Sequence, residues 1–426
     1  MRCGKRLRSS ENRSARYFRF VVFSIITRLL IFGVTGKVVG MKPRRARPGK
    51  TVKCSGGYEA FVPDPLPPQI TWTQRLLRSL SDADRLIGQL AREGRGFPNP
   101  HLLMRPFVRR EAVLSSRIEG TQATLGELLA AEAGAAVTRS PDDLQEVANY
   151  VAALEYGAKR LRTLPLSLRL VKEIHAKLMK GVRGDVATPG EFRRSQNWIG
   201  PAGCTLANAT YVPPPPDELM NCLGAWENFL HDRTLPPLVH AGLVHSQFEA
   251  IHPFLDGNGR IGRLLMILLL LERSILPAPL LYLSAFFEAA REEYYDRLRG
   301  VVEHAEWEPW LEYFLNGVAR MSEDVLGRTE RISALLSEWR KAVSGTNSAT
   351  PAALVGLLAE NPFWTVKKVA ARLHVAFTTA QRAVDRLEKM SVLMQVSGAK
   401  RDRVYCARQI MDILDEPAHL KPKLRP

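Results

Sequence analysis

The sequence predicts a mainly α-helical protein that has one short β-hairpin flap in its core and a small winged helix-turn-helix domain near the C-terminus. Three observations predict this class. Apolar residues recur at helical spacing through most of residues 72–342. A Gly- and Pro-rich stretch at 188–216, with short β-like ends, interrupts that pattern. Beyond a short linker at 344–351, two helical patterns are followed by a basic, β-like pair, which is typical of a winged helix.

The helical patterns follow one another along the chain with few interruptions. A basic and then Pro-rich segment at 41–70 predicts an extended arm. A helix is predicted at about 107–119 and is expected to end at Gly120, which would be its capping glycine. Further helices are predicted at about 141–162, 166–181, 217–232, 236–250, 258–274, 283–299, 306–342 and 351–360. The last two helices carry apolar residues at i, i+3, i+4 and i+7, namely Val366, Val369, Ala370 and Leu373, then Ala380, Ala383, Val384 and Leu387.

A chain of 426 residues is too long for one hydrophobic core, and we divide it into five segments. These are a doubtful N-terminal extension (1–40), an N-terminal arm and helical region (41–135), a core with trailing helices (136–345), the winged-helix domain (346–410) and a tail (411–426). In the extension, a basic start precedes an apolar run at 20–40 that Arg28 interrupts. We expect an upstream translated extension with the natural start at Met41, and a weak membrane anchor or export stay open as alternatives.

The net charge of +17 is unevenly distributed along the chain. Residues 1–50 hold 14 Lys and Arg against one acidic residue, and residues 346–426 hold 13 against 7, whereas residues 51–345 are close to neutral. The near-neutral charge of residues 51–345 therefore does not indicate a nucleic-acid-binding surface in the middle of the chain. The five cysteines are scattered without a CxxC pair, which indicates a reducing compartment, so we expect a cytoplasmic protein. The apolar run at 264–272 is too short for a membrane span and predicts a buried helix, so a membrane partner is not expected.

The segment HPFLDGNGRIGR at 252–263 carries the strongest chemical signal. Pro253 pushes the backbone of His252 out of the helical region, and Asn258 is a good N-cap for the helix that follows. Free backbone N–H groups and two glycines at a helix N-terminus make a site for phosphate. Two arginines three residues apart suit a di- or triphosphate, a carboxylate in the loop suits Mg²⁺, and a histidine can accept a proton near neutral pH. The residues concerned are His252, Asp256, Gly257, Asn258, Gly259, Arg260 and Arg263.

This segment resembles the signature of the Fic family, HPFx[D/E]GN[G/K]RxxR, at every fixed position. The resemblance extends over roughly residues 58–320 and implies a helical Fic catalytic core that transfers AMP from ATP to a protein hydroxyl. It implies that His252 is the general base, that Asp256 binds magnesium, and that Arg263 binds the γ-phosphate. It also implies that Gly257, Asn258, Gly259 and Arg260 hold the phosphates. Family members that transfer phosphate instead tend to carry Lys where this chain has Gly259, which favours AMP transfer. The flap resembles the family's flap, which holds the target segment as an added strand.

A second motif, SSRIEG at 115–120, resembles the family's inhibitory motif [S/T]xxxE[G/N]. Ser115 and Glu119 are four residues apart and share one helix face. The resemblance implies that Glu119 pairs with Arg263, which removes the partner of the γ-phosphate and leaves ATP in a non-productive pose. Residues 41–135 are therefore expected to contain an inhibitory helical region.

The winged-helix domain suggests a second partner. On the face of its third helix opposite the apolar stripe, and at the tip of its hairpin, lie candidate DNA contacts: Gln381, Arg382, Arg386, Lys389, Lys400 and Arg401. A domain used for protein contacts remains an alternative, and a homodimer is also open.

Three functions stay open at this point. The first is a self-inhibited adenylyltransferase that uses ATP and Mg²⁺ and acts on Ser, Thr or Tyr of a protein, including itself. The second is a DNA-binding transcription regulator with a nucleotide-sensing or auto-modifying Fic core. The third is a de-AMPylating hydrolase. Forward and reverse transfer would use the same residues.

Overall fold

The computed structural model describes residues 48–96, 100–135, 141–181, 188–201, 203–344, 348–396 and 402–418. These residues contain fifteen α-helices and two small β-sheets, so the predicted mainly α class is confirmed. The apolar run at 20–40 lies outside the described residues. Among the helices that are described, none combines the length and the apolarity that a bilayer crossing requires.

The N-terminal region begins with two short strands, β1 (Gly49–Lys53) and β2 (Glu59–Pro63), which pair antiparallel. The sequence predicted an extended arm here; its described part is instead a hairpin, closed by a turn between Cys54 and Tyr58. Three helices follow, α1 (Gln74–Gly96), α2 (Pro100–Ile118) and α3 (Leu125–Ala133). The side chains of Thr124 and Glu127 form a capping box that starts α3. The capping box therefore fixes the point at which the turn after α2 ends and α3 begins.

Eight helices form the core. They are α4 (Pro141–Arg160), α5 (Leu168–Leu178), α6 (Pro216–Leu230), α7 (Pro237–Ile251), α8 (Asn258–Glu272), α9 (Ser284–Ala289), α10 (Arg291–His304) and α11 (Trp307–Val343). The helix predicted at 283–299 is two helices, because the backbone of Ala290 leaves the helical region (φ −135°, ψ 52°). As predicted, the apolar run of α8 is buried, from Leu264 to Leu270. Each fully buried Leu contributes roughly 1.5–3 kcal/mol, so α8 is a rigid base for the loop that precedes it.

The predicted hairpin flap at 188–216 is a loop closed by one antiparallel bridge, between Ile199 and Tyr211. A short 3₁₀ turn, Leu206–Asn208, lies between the two bridge residues. Four prolines at 213–216 follow, and since proline has no backbone N–H, they cannot extend a ladder. β2 packs beside this loop, because the Phe61 amide donates to the Val212 carbonyl oxygen over 2.9 Å.

Residues 350–418, here named the C-terminal module, contain four helices and a three-stranded antiparallel sheet of order β3-β5-β4. Its elements are α12 (Thr350–Leu358), β3 (Phe363–Thr365), α13 (Val366–Leu373), α14 (Phe377–Lys389), β4 (Met394–Gln395), β5 (Val404–Cys406) and α15 (Arg408–Asp415). The two predicted apolar stripes on α13 and α14 face inward, and all four predicted residues of α14 are buried.

Helix α15 was not predicted, because residues from 411 onward were expected to form a tail. Four apolar side chains of this helix are buried: Ile410, Met411, Ile413 and Leu414. α15 packs on α11 and on α2, so the end of the module returns to the N-terminal region.

Candidate active site

The loop between α7 and α8 is fixed by its two ends and by one asparagine. His252 ends α7 in the left-handed conformation (φ 49°), and Gly257 precedes α8 with φ 79°, where glycine is favoured. Gly257, not Asn258, occupies the cap position, so the predicted capping role of Asn258 is wrong. The Asn258 side chain turns back instead: its Oδ1 accepts from the Phe254 amide and its Nδ2 donates to the Phe254 carbonyl oxygen, each over 2.8 Å. Asn258 can therefore offer a phosphate its unpaired first-turn backbone N–H.

His175 of α5 supports this loop and was not predicted from the sequence. Its Nδ1 accepts from the Gly190 amide (2.8 Å), so its Nε2 carries the proton and donates to the Asp256 carbonyl oxygen (3.0 Å). Its ring stacks on Phe254 with centroids 3.7 Å apart. Burial lowers the pKa of His175 to about 4, which keeps the ring neutral at pH 7. A single histidine on an apolar helix face carries no sequence signal for this role.

Two flap residues, Arg193 and Asn197, hold the other side of the loop. The Arg193 Nε donates to the His252 carbonyl oxygen (3.0 Å), and the Arg193 backbone amide donates to that of Pro253 (2.9 Å). The Asn197 Nδ2 donates to the carbonyl oxygens of Phe254 (2.8 Å) and His252 (3.2 Å). The flap and the loop therefore form one hydrogen-bonded unit, a role that the flap's sequence did not reveal.

His252 presents an acceptor nitrogen. Its Nδ1 lies 3.3 Å from the carbonyl oxygen of Glu249, and since a carbonyl oxygen can only accept, Nδ1 carries the proton. Its Nε2 is then the basic atom. Burial lowers the pKa of His252 to about 4, so the ring is neutral at pH 7 and can take a proton from a hydroxyl.

Asp256 and Arg260 lie side by side at the start of α8. The Asp256 carboxylate is about half exposed (48%), its Oδ1 accepts from the Gly257 amide (2.6 Å), and it lies 3.6 Å from the Arg260 Nη2. Arg260 is buried, and Glu146 is 3.5 Å from its Nη1. The Arg260 Nε is buried without a hydrogen-bond partner among the described residues. Because the carboxylates of Glu146 and Asp256 are 3.5 and 3.6 Å away, the Arg260 guanidinium can still bind an anionic ligand.

The residues available for a metal fit Mg²⁺ bound together with phosphates. No cluster of three or more His, Cys, Asp or Glu side chains in the described part of the chain could hold a metal ion by itself. Mg²⁺ is commonly bound through one or two carboxylates and the substrate's phosphates. The accessible oxygen of Asp256 beside the first turn of α8 meets that requirement.

Arg263 contacts the SSRIEG motif at 115–120, and the contact with Glu119 that the resemblance implied is present. Arg263 is almost fully buried, its Nε donates to the Ser115 Oγ (2.9 Å) and its Nη2 donates to the Ser115 carbonyl oxygen (2.9 Å). The same Nη2 donates to the Glu119 Oε1 over 2.6 Å, and the Glu119 side chain is one-third exposed. Burial alone would raise the pKa of Glu119, but the charge of Arg263 lowers the pKa overall, so Glu119 is ionised at neutral pH.

Gly259 makes room for this pair. A Cβ atom at position 259 would lie 2.3 Å from the Glu119 Oε1 and 2.9 Å from an Arg263 Nη atom. The Glu119 carboxylate therefore lies against the first turn of α8, where phosphates are expected.

A further carboxyl group, Glu249 on α7, lies close to the same arginine and was missed. Its Oε1 is buried without a hydrogen-bond partner among the described residues, and it is accommodated because residue 262 is glycine. Burial raises the pKa of Glu249 to about 7, and Arg263 opposes that shift.

The residues predicted to contact DNA are described only in part. On α14, the side chains of Arg382, Arg386 and Lys389 are exposed. Gln381 is half-buried, and its Nε2 donates to the Asp385 Oδ1 over 2.6 Å. Lys400 and Arg401 lie outside the described residues.

Three features can be compared with known protein families. They are the helical core, the glycine-rich loop at the start of α8 and the glutamate paired with Arg263. Residues 165–270 match the model of the Fic/DOC family, and residues 77–159 match the model of the Fic/DOC family N-terminal region. These two segments therefore match Fic/DOC family models, which confirms the resemblance to Fic family proteins over residues 77–159 and 165–270.

Curated relatives include two that are named protein adenylyltransferase Fic. The one from Drosophila yakuba is 34% identical over 143 residues, which cover 33% of this chain and 27% of the relative. The one from Drosophila virilis is 34% identical over 166 residues, which cover 38% and 32%. The chain thus matches about a third or less of the length of these relatives. A solved Fic family protein from Desulfovibrio desulfuricans G20 shares the fold, with a TM-score of 0.55 at 21% identity over 80% of this chain and 98% of its own.

Proposed function

We propose that this protein is a self-inhibited adenylyltransferase that transfers AMP from ATP to a Ser, Thr or Tyr hydroxyl of a protein, including its own chain. The observation that carries the proposal is the loop at 252–263. Within twelve residues it combines a neutral histidine, an accessible carboxylate, free amides at a helix N-terminus and two buried arginines. The names of the partial relatives agree with this activity.

In this mechanism the target hydroxyl oxygen attacks the α-phosphorus of ATP. The bond between the α-phosphorus and the bridging oxygen to the β-phosphorus breaks, and pyrophosphate leaves. The hydroxyl proton goes to the Nε2 of His252. The amides of the first turn of α8 hold the phosphates, and Arg260 and Arg263 bind the β- and γ-phosphates. Bound Mg²⁺, held by Asp256, would neutralise phosphate charge.

The proposal is tested by the position of the label. The purified chain, in a variant that lacks the Glu119 carboxylate, is incubated with a cell lysate and with ATP labelled at either the α- or the γ-phosphate. AMP transfer labels protein only from the α-position, and mass spectrometry then locates AMP on hydroxyl side chains. Label arriving from the γ-position would show phosphate transfer instead, and label from neither would contradict the proposal.

Asp256→Asn should raise the Mg²⁺ concentration for half-maximal activity by about tenfold or more, because a hard cation loses a charged oxygen ligand. Titration of Mg²⁺ at fixed ATP, in a Glu119→Gly background, measures this. Asp296→Asn is the matched control, since Asp296 is an exposed carboxylate that pairs with Arg299 on α10. An unchanged Mg²⁺ response in Asp256→Asn would remove Asp256 from the metal site.

Removal of AMP from a modified protein is a second candidate activity. The observation that favours it is the Glu119 carboxylate against the first turn of α8, where it could orient a water molecule toward a bound phosphate. Chain that has labelled itself in a Glu119-deficient form is purified and mixed with unlabelled wild type. Release of AMP that requires Glu119 would establish the reverse reaction, and a stable label would exclude it.

We also infer that the C-terminal module is a winged helix that binds DNA through α14. The observation that favours this is the row of exposed basic side chains on α14, opposite its buried stripe. The protein would then couple AMP chemistry to a DNA site. Binding of a protein target by the same surface is the competing outcome.

Arg382→Ala combined with Arg386→Ala should weaken binding to duplex DNA from upstream of the protein's own gene. Each lost base contact costs about 1–3 kcal/mol, whereas each lost phosphate contact reduces the salt slope by about one. Mobility shifts at several salt concentrations measure both. The control is Arg297→Ala with Arg299→Ala, which removes the same charge from α10. No complex at low salt would favour the protein-contact alternative.

A further inference from the structure

The helix that carries Ser115 contacts the C-terminal module as well as the catalytic core. We propose that the C-terminal module regulates the active site by holding α2 and α3 in the position that keeps Glu119 on Arg263. This inference rests on the proposed function for its activity readout. Three separate groups of contacts carry it.

The first group centres on Glu360, which follows α12 and is buried (7% exposed). Its Oε1 pairs with Arg105 on α2, and its Oε2 lies 3.3 Å from the Arg372 Nη2 on α13. A buried carboxylate requires positive partners, so Glu360 depends on these two arginines, whose own side chains are about half exposed. Arg105 precedes Ser115 by ten residues, or about 15 Å along the helix.

The second group fixes α2 to the end of the module. Arg110, which is buried, donates through its Nη2 to the Glu416 carbonyl oxygen over 3.1 Å. Arg328 of α11 donates to the same carbonyl oxygen over 2.9 Å and also binds the Ile413 carbonyl oxygen. The chain after α15 is thus tied to α2 and to α11 together.

The third group lies on α3, beyond the turn that holds Glu119. The Asn361 Nδ2 donates to the Leu129 carbonyl oxygen (3.3 Å), and the Lys368 ammonium group donates to the Glu132 carbonyl oxygen. The Glu132 side chain in turn pairs with Arg109 of α2 over 3.1 Å. The module therefore contacts both sides of the α2–α3 turn, on α2 before Ser115 and on α3 after Glu119.

The turn between these contacts links Glu119 to the catalytic core. Gly120 has φ 104°, and Thr121 donates its hydroxyl to Glu146 (2.7 Å), the same carboxylate that lies near Arg260. If the module loosens, α2 and α3 lose their outer support, and the Glu119–Arg263 contact loses the constraint on its position. A ligand or partner that displaces the module would then increase transfer.

Glu360→Gln tests this coupling because it removes the charge and keeps the shape. We expect self-labelling from α-labelled ATP to rise about fivefold or more, at the lower end of usual allosteric couplings. In a Glu119→Gly background the same change should have no further effect. The matched control is Glu173→Gln, since Glu173 also bridges two arginines, Arg160 (3.0 Å) and Arg169 (3.1 Å), within the core.

Hydrogen exchange supplies a readout that is independent of activity. In the full chain, Glu360→Gln should speed amide exchange in residues 112–121, and Glu173→Gln should not. Unchanged labelling and unchanged exchange would overturn the coupling, as would an equal rise in both backgrounds, which would place the effect outside the Glu119–Arg263 contact. If Glu119→Gly itself transfers no AMP, the proposed activity fails, and the exchange result still decides the coupling.

Discussion

Replacing His252 with alanine, in a Glu119→Gly background, is expected to lower AMP transfer by about 10²–10⁴-fold, the usual contribution of a positioned general base. The affinity for ATP should remain within about twofold. The reason is that the Nε2 of His252 acts on the hydroxyl of the target, whereas the phosphates are bound by the amides of α8 and by Arg260 and Arg263. Single-turnover transfer from α-labelled ATP and equilibrium binding of ATP measure the two effects separately.

The position of His252 in the chain calls for a second variant. Its left-handed backbone (φ 49°) disfavours alanine, by roughly 1–2 kcal/mol, whereas asparagine adopts this conformation more readily. His252→Asn removes the base and keeps the backbone, so it should show the same loss of transfer as His252→Ala. His304→Ala, at the exposed end of α10, is the control. A loss of ATP affinity as large as the loss of rate in both His252 variants would make His252 a structural residue of the loop.

The conformation of the 252–263 loop could be predicted in part from the sequence because it depends on neighbouring residues. Spacing alone predicts the backbone of a histidine before proline and of an Asp-Gly turn, and it places two arginines at i and i+3 on one helix face. The prediction failed at Asn258, where spacing alone suggests a cap. In the structure the Asn258 side chain bonds to Phe254 instead, and a capping preference does not distinguish these two uses.

The supports of the loop could not be predicted, because they come from distant parts of the chain. His175 and Asp256 are 81 residues apart, and Arg193 and His252 are 59 apart. No periodicity or spacing rule relates such pairs, and each residue has an ordinary local setting. The Glu119–Arg263 contact, 144 residues apart, was expected only because its motif resembles that of a family.

The contacts between the C-terminal module and α2 could not be predicted for a similar reason. Arg105 and Glu360 are 255 residues apart and lie in two different predicted segments, 41–135 and 346–410. The helix α15 was missed because it follows a β-like pair, where a tail is the usual expectation, although its apolar residues have helical spacing. The helical spacing of α15 was therefore a local signal, whereas its packing on α2 and α11 was not visible in the sequence.

Glu119→Gly should raise AMP transfer, including self-modification, by at least about tenfold. A charge-assisted hydrogen bond such as that between Glu119 and Arg263 is worth roughly 1.5–3 kcal/mol. About 1.4 kcal/mol corresponds to a factor of ten, so loss of the pair shifts the balance between blocked and open Arg263 by about 10- to 150-fold. Since the pKa of Glu119 is lowered by Arg263, the pair is charged at neutral pH, and the wild type should show little transfer there.

Two further variants separate the charge of Glu119 from its volume. Glu119→Gln keeps the size, so its Oε1 still lies against position 259 while the attraction to Arg263 falls, and an intermediate rate is expected. Glu303→Gly is the matched control, because Glu303 is a partly exposed glutamate one residue before the end of α10. Labelling from α-labelled ATP is compared at equal protein concentration. Equal labelling of wild type and Glu119→Gly would show that Arg263 is open to the γ-phosphate despite the 2.6 Å contact, and self-inhibition through Glu119 would have to be abandoned.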